Sequence, residues 1–173
     1  KMISLRNHGI SKSLANRFTK AKPWEYEVTE PGYNYRLDEI RAALGISQLK
    51  RINQNNLKRK KAFLYYNSKI GNNKNFILPK ILKNQTHACH LYVLRIQKNK
   101  KFSRDSLFRK LLGKGIRSSV HYKPLHQFSA YKKNGKIIDK LTVSKSIYKE
   151  IISLPLYPQI ERKQQDLVIQ NLQ

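Results

Sequence analysis

Six consecutive residues, His121-Tyr122-Lys123-Pro124-Leu125-His126, gather two imidazoles, a phenol and an ammonium beside a proline that stiffens the backbone. A loop of this kind leaving a strand end presents donors and acceptors from a rigid scaffold, the usual setting of a binding site. The plainer alternative is an exposed polar strand edge. A second candidate is Gly32-Tyr33-Asn34-Tyr35-Arg36-Leu37, a turn announced by Pro31-Gly32 in which the Asn34 side-chain amide can cap or bridge. Other chemistries are poorly served. His87 and His90 fall on opposite faces of the strand expected there, and no Cys or carboxylate set of structural-zinc type accompanies them, so no metal is expected. Cys89 in that strand reads as a small buried hydrophobe rather than a reactive thiolate. The sequence contains no Walker loop, dinucleotide fingerprint or paired-carboxylate motif.

Patterning predicts the elements that must position these groups. Asp38 and Glu39 put negative charge in the first turn of a helix expected from Leu37, where the helix dipole favours it. Leu37, Ile40, Ala43 and Leu44 make one apolar stripe, and Ala42, Ile46 and Leu49 a second. Such a helix is expected to be buried between layers or in a subunit interface. Gly45 costs about 1 kcal/mol relative to Ala in a helix interior, which points to another backbone or a ligand approaching closely. Helical text continues through Leu57, Ala62, Phe63 and Leu64 towards Lys69, with a break expected near residues 53–56, and Gly71 with an Asn-rich loop ends it. Upstream, residues 5–18 read as a connecting segment in which Gly9 is a break and Ser11 or Ser13 starts a helical turn. Trp24, Tyr26 and Val28, alternating with Glu25 and Glu27, read as a short strand within residues 23–31.

The remainder reads as a small α/β unit. A central strand is expected at residues 90–96. Ser103 should cap a helix whose face is Leu107, Phe108, Leu111 and Leu112, stopped by Gly113 and Gly115. A strand at 116–122, a loop over 123–131, a helix carrying Ile147, Tyr148, Ile151 and Ile152, an extended crossing at 154–158 and a last helix marked by Leu167, Val168 and Leu172 complete the pattern.

The totals set bounds. The 173 residues, 39% hydrophobic and 10% aromatic, suffice for a folded chain of about one to one and a half domains. Thirty-six Lys plus Arg against ten Asp plus Glu give a formal net charge of +26, which attracts polyanions. The basic residues are dispersed, with one tight run at Lys58-Arg59-Lys60-Lys61, and most are Lys rather than the Arg that reads bases. A solvated surface is the expected reading, and a basic nucleic-acid-binding module the rival. A single Cys provides no disulfide framework and fits a reducing cytoplasm. No apolar run approaches the ~20 residues of a membrane span, so no membrane insertion is expected. Lys1 is not an initiator and helical spacing persists at 166–173, so the chain reads as a piece of a longer protein.

Five ordered motifs carry a family resemblance over nearly the whole chain. They are Leu5-Arg6-Asn7-His8-Gly9-Ile10; Gly32-Tyr33-Asn34-Tyr35-Arg36-Leu37 with Ala42-Ala43-Leu44-Gly45 and Gln48-Leu49; His90-Leu91-Tyr92-Val93; Gly115-Ile116 through His121-Tyr122-Lys123-Pro124-Leu125-His126; and Ser153-Leu154-Pro155-Leu156-Tyr157-Pro158. Together they resemble the pyridoxal-phosphate-dependent nucleotide-sugar aminotransferases of the DegT/DnrJ/EryC1/StrS type. Within that family the chain is similar to the transaminases that aminate a 4-keto-6-deoxy UDP-N-acetylhexosamine on the way to pseudaminic acid.

The resemblance implies an α/β fragment of a fold-type-I aminotransferase: the end of the large domain at 1–36, a linking and interface helix at 37–70, and a small C-terminal α/β domain at 71–173. It implies pyridoxal 5'-phosphate as cofactor, glutamate as amino donor, a UDP- or dTDP-keto sugar as acceptor, and a cytoplasmic homodimer with shared active sites. Asn34 is then the expected cofactor contact, reaching the phosphate or substrate of the neighbouring subunit. Tyr33, Arg36, His121, Tyr122, Lys123 and Pro124 are expected to contact substrate, with Lys123 able to meet the diphosphate and Arg36 alternatively bridging subunits. Cys89 stands where relatives often carry Trp. The catalytic lysine of the family lies upstream of the Leu5–Ile10 motif, so no catalytic residue is expected in this chain, and a non-catalytic dimerisation or regulatory relative is the second rival.

Overall fold

A computed structural model describes residues 1–10, 24–97, 103–135 and 140–172. The chain divides into two units, Lys1–Arg51 and Ile52–Gln173.

The first unit is held by main-chain pairing. After the four-residue helix α1 (Met2–Leu5), residues 5–10 run antiparallel to residues 28–35. Leu5 O accepts from Tyr33 N–H at 2.6 Å, Tyr33 O from His8 N–H at 3.0 Å, Arg6 O from Tyr35 N–H at 2.8 Å and Gly9 O from Thr29 N–H at 3.0 Å. The two backbones come too close for side chains where they cross. A Cβ on Gly9, whose φ is +71°, would lie 1.6 Å from Glu30 O, and one on Gly32 would lie 2.1 Å from Gly9 N. The strand expected within 23–31 reduces to an isolated bridge between Val28 and Ile10, because Pro31-Gly32 turns the chain before a ladder can extend. The helical turn expected at Ser11 or Ser13 lies outside the described residues.

Helix α2 (Glu39–Lys50) starts two residues later than the expected Leu37, because Asp38 is its N-cap: Oδ1 accepts from Arg41 N–H at 2.9 Å. It ends at Arg51, and α3 (Ile52–Ile70) follows, so the break falls before the expected 53–56. No α2 residue is buried within this chain; Ile40 is 84% exposed and Leu44, Ile46 and Leu49 are also exposed. A Cβ at Gly45 would meet nothing within 4 Å, so the close approach expected there is not made by the described residues.

The second unit packs α3, α4 (Arg104–Gly113) and α7 (Arg162–Gln170) against an antiparallel sheet of β1 (Phe76–Ile77), β2 (Tyr92–Ile96) and β3 (Ile151–Leu154), ordered β1-β2-β3. Along β2, Tyr92, Leu94 and Ile96 are buried while Val93 and Arg95 are half-buried, the period of two that a pleated strand imposes. Phe63, Tyr66 and Ile70 of α3, Leu107 and Leu111 of α4, Val168 of α7 and the following Leu172 fill the core. The Tyr92 ring lies 5.0 Å from Phe63 and 4.8 Å from Tyr66. Both buried phenols are satisfied: Tyr66 donates to Pro155 O at 3.0 Å and Tyr92 to Asn67 Oδ1 at 2.8 Å. Burial pushes both pKa values well above the ordinary tyrosine range. Tyr65 ties α3 to α7 by donating to Asp166 Oδ1 at 2.6 Å, with the Arg162 guanidinium 4.0 Å from its ring centroid.

Ser103 caps α4 as expected, accepting from Ser106 N–H at 3.1 Å while Ser106 Oγ accepts from Ser103 N–H at 3.2 Å. Elsewhere the element assignments change. The helix expected to carry Ile151 and Ile152 is α6 (Thr142–Glu150), which stops before them; both isoleucines belong to β3, whose four residues are all buried and pair with β2. The strand expected at 116–122 reduces to one bridge between Ser119 and Ser153. The strand expected from residue 90 starts at Tyr92, and Cys89 sits before it at φ +50°, so His87 and Cys89 are not strand residues. The loop expected at 123–131 contains a 3-10 turn (Leu125–Gln127) and the start of α5 (Ser129–Asn134).

Two substitutions test this architecture in the full-length protein. Gly9→Ala should accelerate hydrogen exchange of the Tyr33 and Tyr35 amides by about tenfold or more, since a strained left-handed residue loosens the pairing, whereas Gly45→Ala should not. Leu94→Ala should lower stability to urea by about 2–5 kcal/mol, the cost of a cavity in a packed core.

Candidate active-site residues

In the first unit, the extended backbone at 33–36 sorts side chains onto two sides. The rings of Tyr33 and Tyr35 stack with centroids 5.1 Å apart and planes 6° from parallel, which places Asn34 and Arg36 opposite them. Arg36 is held by Asn7: its Nε and Nη2 donate to Asn7 Oδ1 at 3.1 and 2.8 Å. Asn7 also forms the bridge with Asn34. The Asn34 backbone is therefore fixed, while its exposed carboxamide makes no hydrogen bond among the described residues. Tyr33 is exposed beside it in sequence. Asn7 was not singled out from the sequence, although it lies in the Leu5–Ile10 motif.

In the second unit, the His121 segment leaves the outer side of β3. Ser153 donates its N–H to Ser119 O at 2.7 Å and accepts from Ser119 N–H at 3.1 Å, so its main chain faces away from β2 and holds the 119–121 backbone. The Ser153 side chain then meets the segment as well, with Oγ 2.9 Å from His121 Nδ1. The Tyr122 ring packs edge-on against His121 at 4.6 Å and is largely exposed. Lys123 Nζ lies 5.0 Å from the centroid of Phe128, and Pro124 opens the 3-10 turn. The four residues predicted here thus share one short segment, supported by Ser153, Ser119 and Phe128. Those supports were missed; Ser153 heads the Ser153-Leu154-Pro155 motif, the one signal that pointed to it. Two shielded polar atoms in the segment, Ser118 Oγ and His126 Nε2, have no hydrogen-bond partner among the described residues.

Cys89 offers no nucleophile. It is fully buried, and burial pushes its thiol pKa up despite the opposing charge of Lys60. Its N–H donates to His87 Nδ1 at 3.0 Å, and Sγ lies 3.4 Å from the same nitrogen. Among the described residues no helix is long and apolar enough to cross a membrane.

Comparison with known proteins shows the family of the chain. The family model for DegT/DnrJ/EryC1/StrS aminotransferases matches residues 1–173. The UDP-4-amino-4,6-dideoxy-N-acetyl-beta-L-altrosamine transaminase of Campylobacter jejuni is 35% identical over 164 residues, covering 94% of this chain and 41% of that protein. The structure of Helicobacter pylori PseC, an aminotransferase involved in the biosynthesis of pseudoaminic acid, superposes with a TM-score of 0.82 at 28% identity, covering 99% of this chain and 44% of that one. A Streptococcus pneumoniae chain in its PMP form superposes with a TM-score of 0.81 at 28% identity, covering 98% of this chain and 42% of that one. The chain thus spans less than half the length of these relatives. It belongs to the DegT/DnrJ/EryC1/StrS aminotransferase family and carries part of its fold-type-I α/β architecture.

Proposed function

We propose that residues 1–173 form the C-terminal part of a pyridoxal-phosphate-dependent aminotransferase that transfers an amino group from glutamate to a nucleotide-linked keto-deoxy sugar, in the supply of sugars for a surface polysaccharide or glycan. In this reading residues 1–36 close the large cofactor-binding domain, 37–70 form the linking helix, and 71–173 are the small domain. The enzyme is a cytoplasmic homodimer with active sites shared between subunits, and the exposed apolar residues Ile40, Leu44, Ile46 and Leu49 of α2 support a covered interface there.

The observation that carries the reading is the fixed Asn34 backbone with an exposed carboxamide that makes no hydrogen bond among the described residues. A neutral amide donor suits a phosphate, because it holds the anion without adding a competing acid. Among the residues described, Asn34 is the one that fits pyridoxal phosphate; the catalytic lysine is assigned to a part of the protein outside residues 1–173. When bound, pyridoxal phosphate supplies the electron sink that lets an amino group move between carbon centres. The residues of this chain bind and orient. Asn34 donates to the cofactor phosphate or to substrate in the neighbouring subunit. Arg36, with two N–H groups committed to Asn7, keeps others for an anionic oxygen or a carboxylate across the interface. Tyr33 contacts substrate, and the segment His121, Tyr122, Lys123 and Pro124 lines a sugar-nucleotide pocket in which Lys123 meets the diphosphate.

Asn34→Ala tests this in the full-length enzyme. Loss of a hydrogen bond to a charged group should weaken cofactor binding or raise KM for the nucleotide sugar by roughly 10-fold or more, with thermal unfolding of the cofactor-free protein unchanged. Unfolding with unaltered activity per folded molecule would instead make Asn34 a purely structural residue.

A further inference from the structure

We propose that Ser153 is a positioning residue for His121: its hydroxyl donates to Nδ1 and holds the neutral imidazole in the tautomer that carries its proton on Nε2, presenting an N–H donor to an oxygen of the nucleotide sugar. The role rests on the reading of His121 as a substrate contact.

The argument is one of proton inventory. Ser153 is buried, 4% exposed, and the one partner of its Oγ among the described residues is His121 Nδ1, at 2.9 Å. A hydroxyl has one proton to give, and leaving it without an acceptor in a shielded position costs about 1–3 kcal/mol. A neutral imidazole has one donor nitrogen and one acceptor nitrogen. If Nδ1–H donated to Ser153, the serine proton would be stranded; if Nδ1 accepts, both groups are satisfied. Acceptance at Nδ1 places the ring proton on Nε2. His121 Nε2 makes no hydrogen bond among the described residues and is not among their shielded, unpartnered atoms, so this N–H is free to reach a ligand.

The serine cannot drift from this role. Its N–H and C=O are both bonded to Ser119, at 2.7 and 3.1 Å, and it stands between the buried Ile152 and Leu154 of β3. The same residue thus anchors the backbone leading to His121 and orients the ring. The ligand chemistry that follows is acceptor-rich: a diphosphate, hydroxyl or carbonyl oxygen is recognised, whereas a second N–H donor is rejected.

Long-range 1H–15N correlation of the imidazole nitrogens in the full-length protein, at a pH where the ring is neutral, tests the tautomer directly. The His121 signals, assigned by their loss in His121→Gln, should report a protonated Nε2 and a bare Nδ1, and in Ser153→Ala should shift towards a tautomer mixture. In steady-state assays Ser153→Ala should raise KM for the nucleotide sugar by roughly 3- to 10-fold, as for a lost neutral hydrogen bond, with KM for glutamate unchanged. The amide of His121→Gln supplies a donor that needs no tautomer, so Ser153→Ala should have no further effect on KM in that background. A proton on Nδ1 in the unsubstituted protein overturns the inference whether or not the variants fold. A full, additive effect of Ser153→Ala beside His121→Gln overturns it in favour of general packing. An Nε2–H signature with KM unmoved in both single variants overturns the substrate-contact reading, and the positioning role with it.

Discussion

Backbone closeness at Gly9 and Gly32 is the constraint on which the first unit depends. Two segments, residues 5–10 and 28–35, exchange main-chain hydrogen bonds at a crossing where a Cβ on Gly9 would sit 1.6 Å from Glu30 O. Main-chain pairing gives the turn its precision, because each bond fixes a donor and an acceptor that would otherwise be solvated separately. Once residues 5–10 and 28–35 are paired, side-chain alternation decides the rest. Tyr33 and Tyr35 stack on one side, Arg36 reaches Asn7 on the other, and Asn34 is left with a located backbone and an amide that is uncommitted among the described residues.

The second unit reaches a comparable result by different means. There the scaffold is a packed α/β layer, and the segment at 119–124 hangs from one residue of its last strand. Ser153 uses its main chain for Ser119 and its side chain for His121, so the sheet edge and the imidazole share a single anchor. Both units thus hold polar side chains on fixed backbones, in a chain whose net charge is +26. A diffuse charge of this sign attracts anions at a distance.

Local signals were legible in the sequence and long-range pairings were not. The Ser103 cap could be read because its partner, Ser106, lies three residues away. The α6–β3 boundary could not, because Ile147, Tyr148, Ile151 and Ile152 satisfy a helical period and it is pairing with β2 that draws the two β-branched residues into a strand. The same limit applies at the site. Asn34 and His121 stood out by type and motif, whereas Asn7 holds Arg36 across 29 residues and Ser153 holds His121 across 32, contacts that no spacing rule encodes. The α2 helix shows the reverse case: its two apolar stripes are present as read, but this chain contains nothing among its described residues that buries them.

In the function proposed above, residues 1–173 supply recognition and orientation, and the covalent step is assigned to a lysine elsewhere in the protein. Borohydride reduction of the full-length protein loaded with pyridoxal phosphate, followed by peptide mass spectrometry, reads that assignment directly. The account predicts a single modified lysine lying outside residues 1–173, with none of the lysines of this chain labelled in proportion to lost activity. Stoichiometric modification of a lysine within residues 1–173 would contradict it.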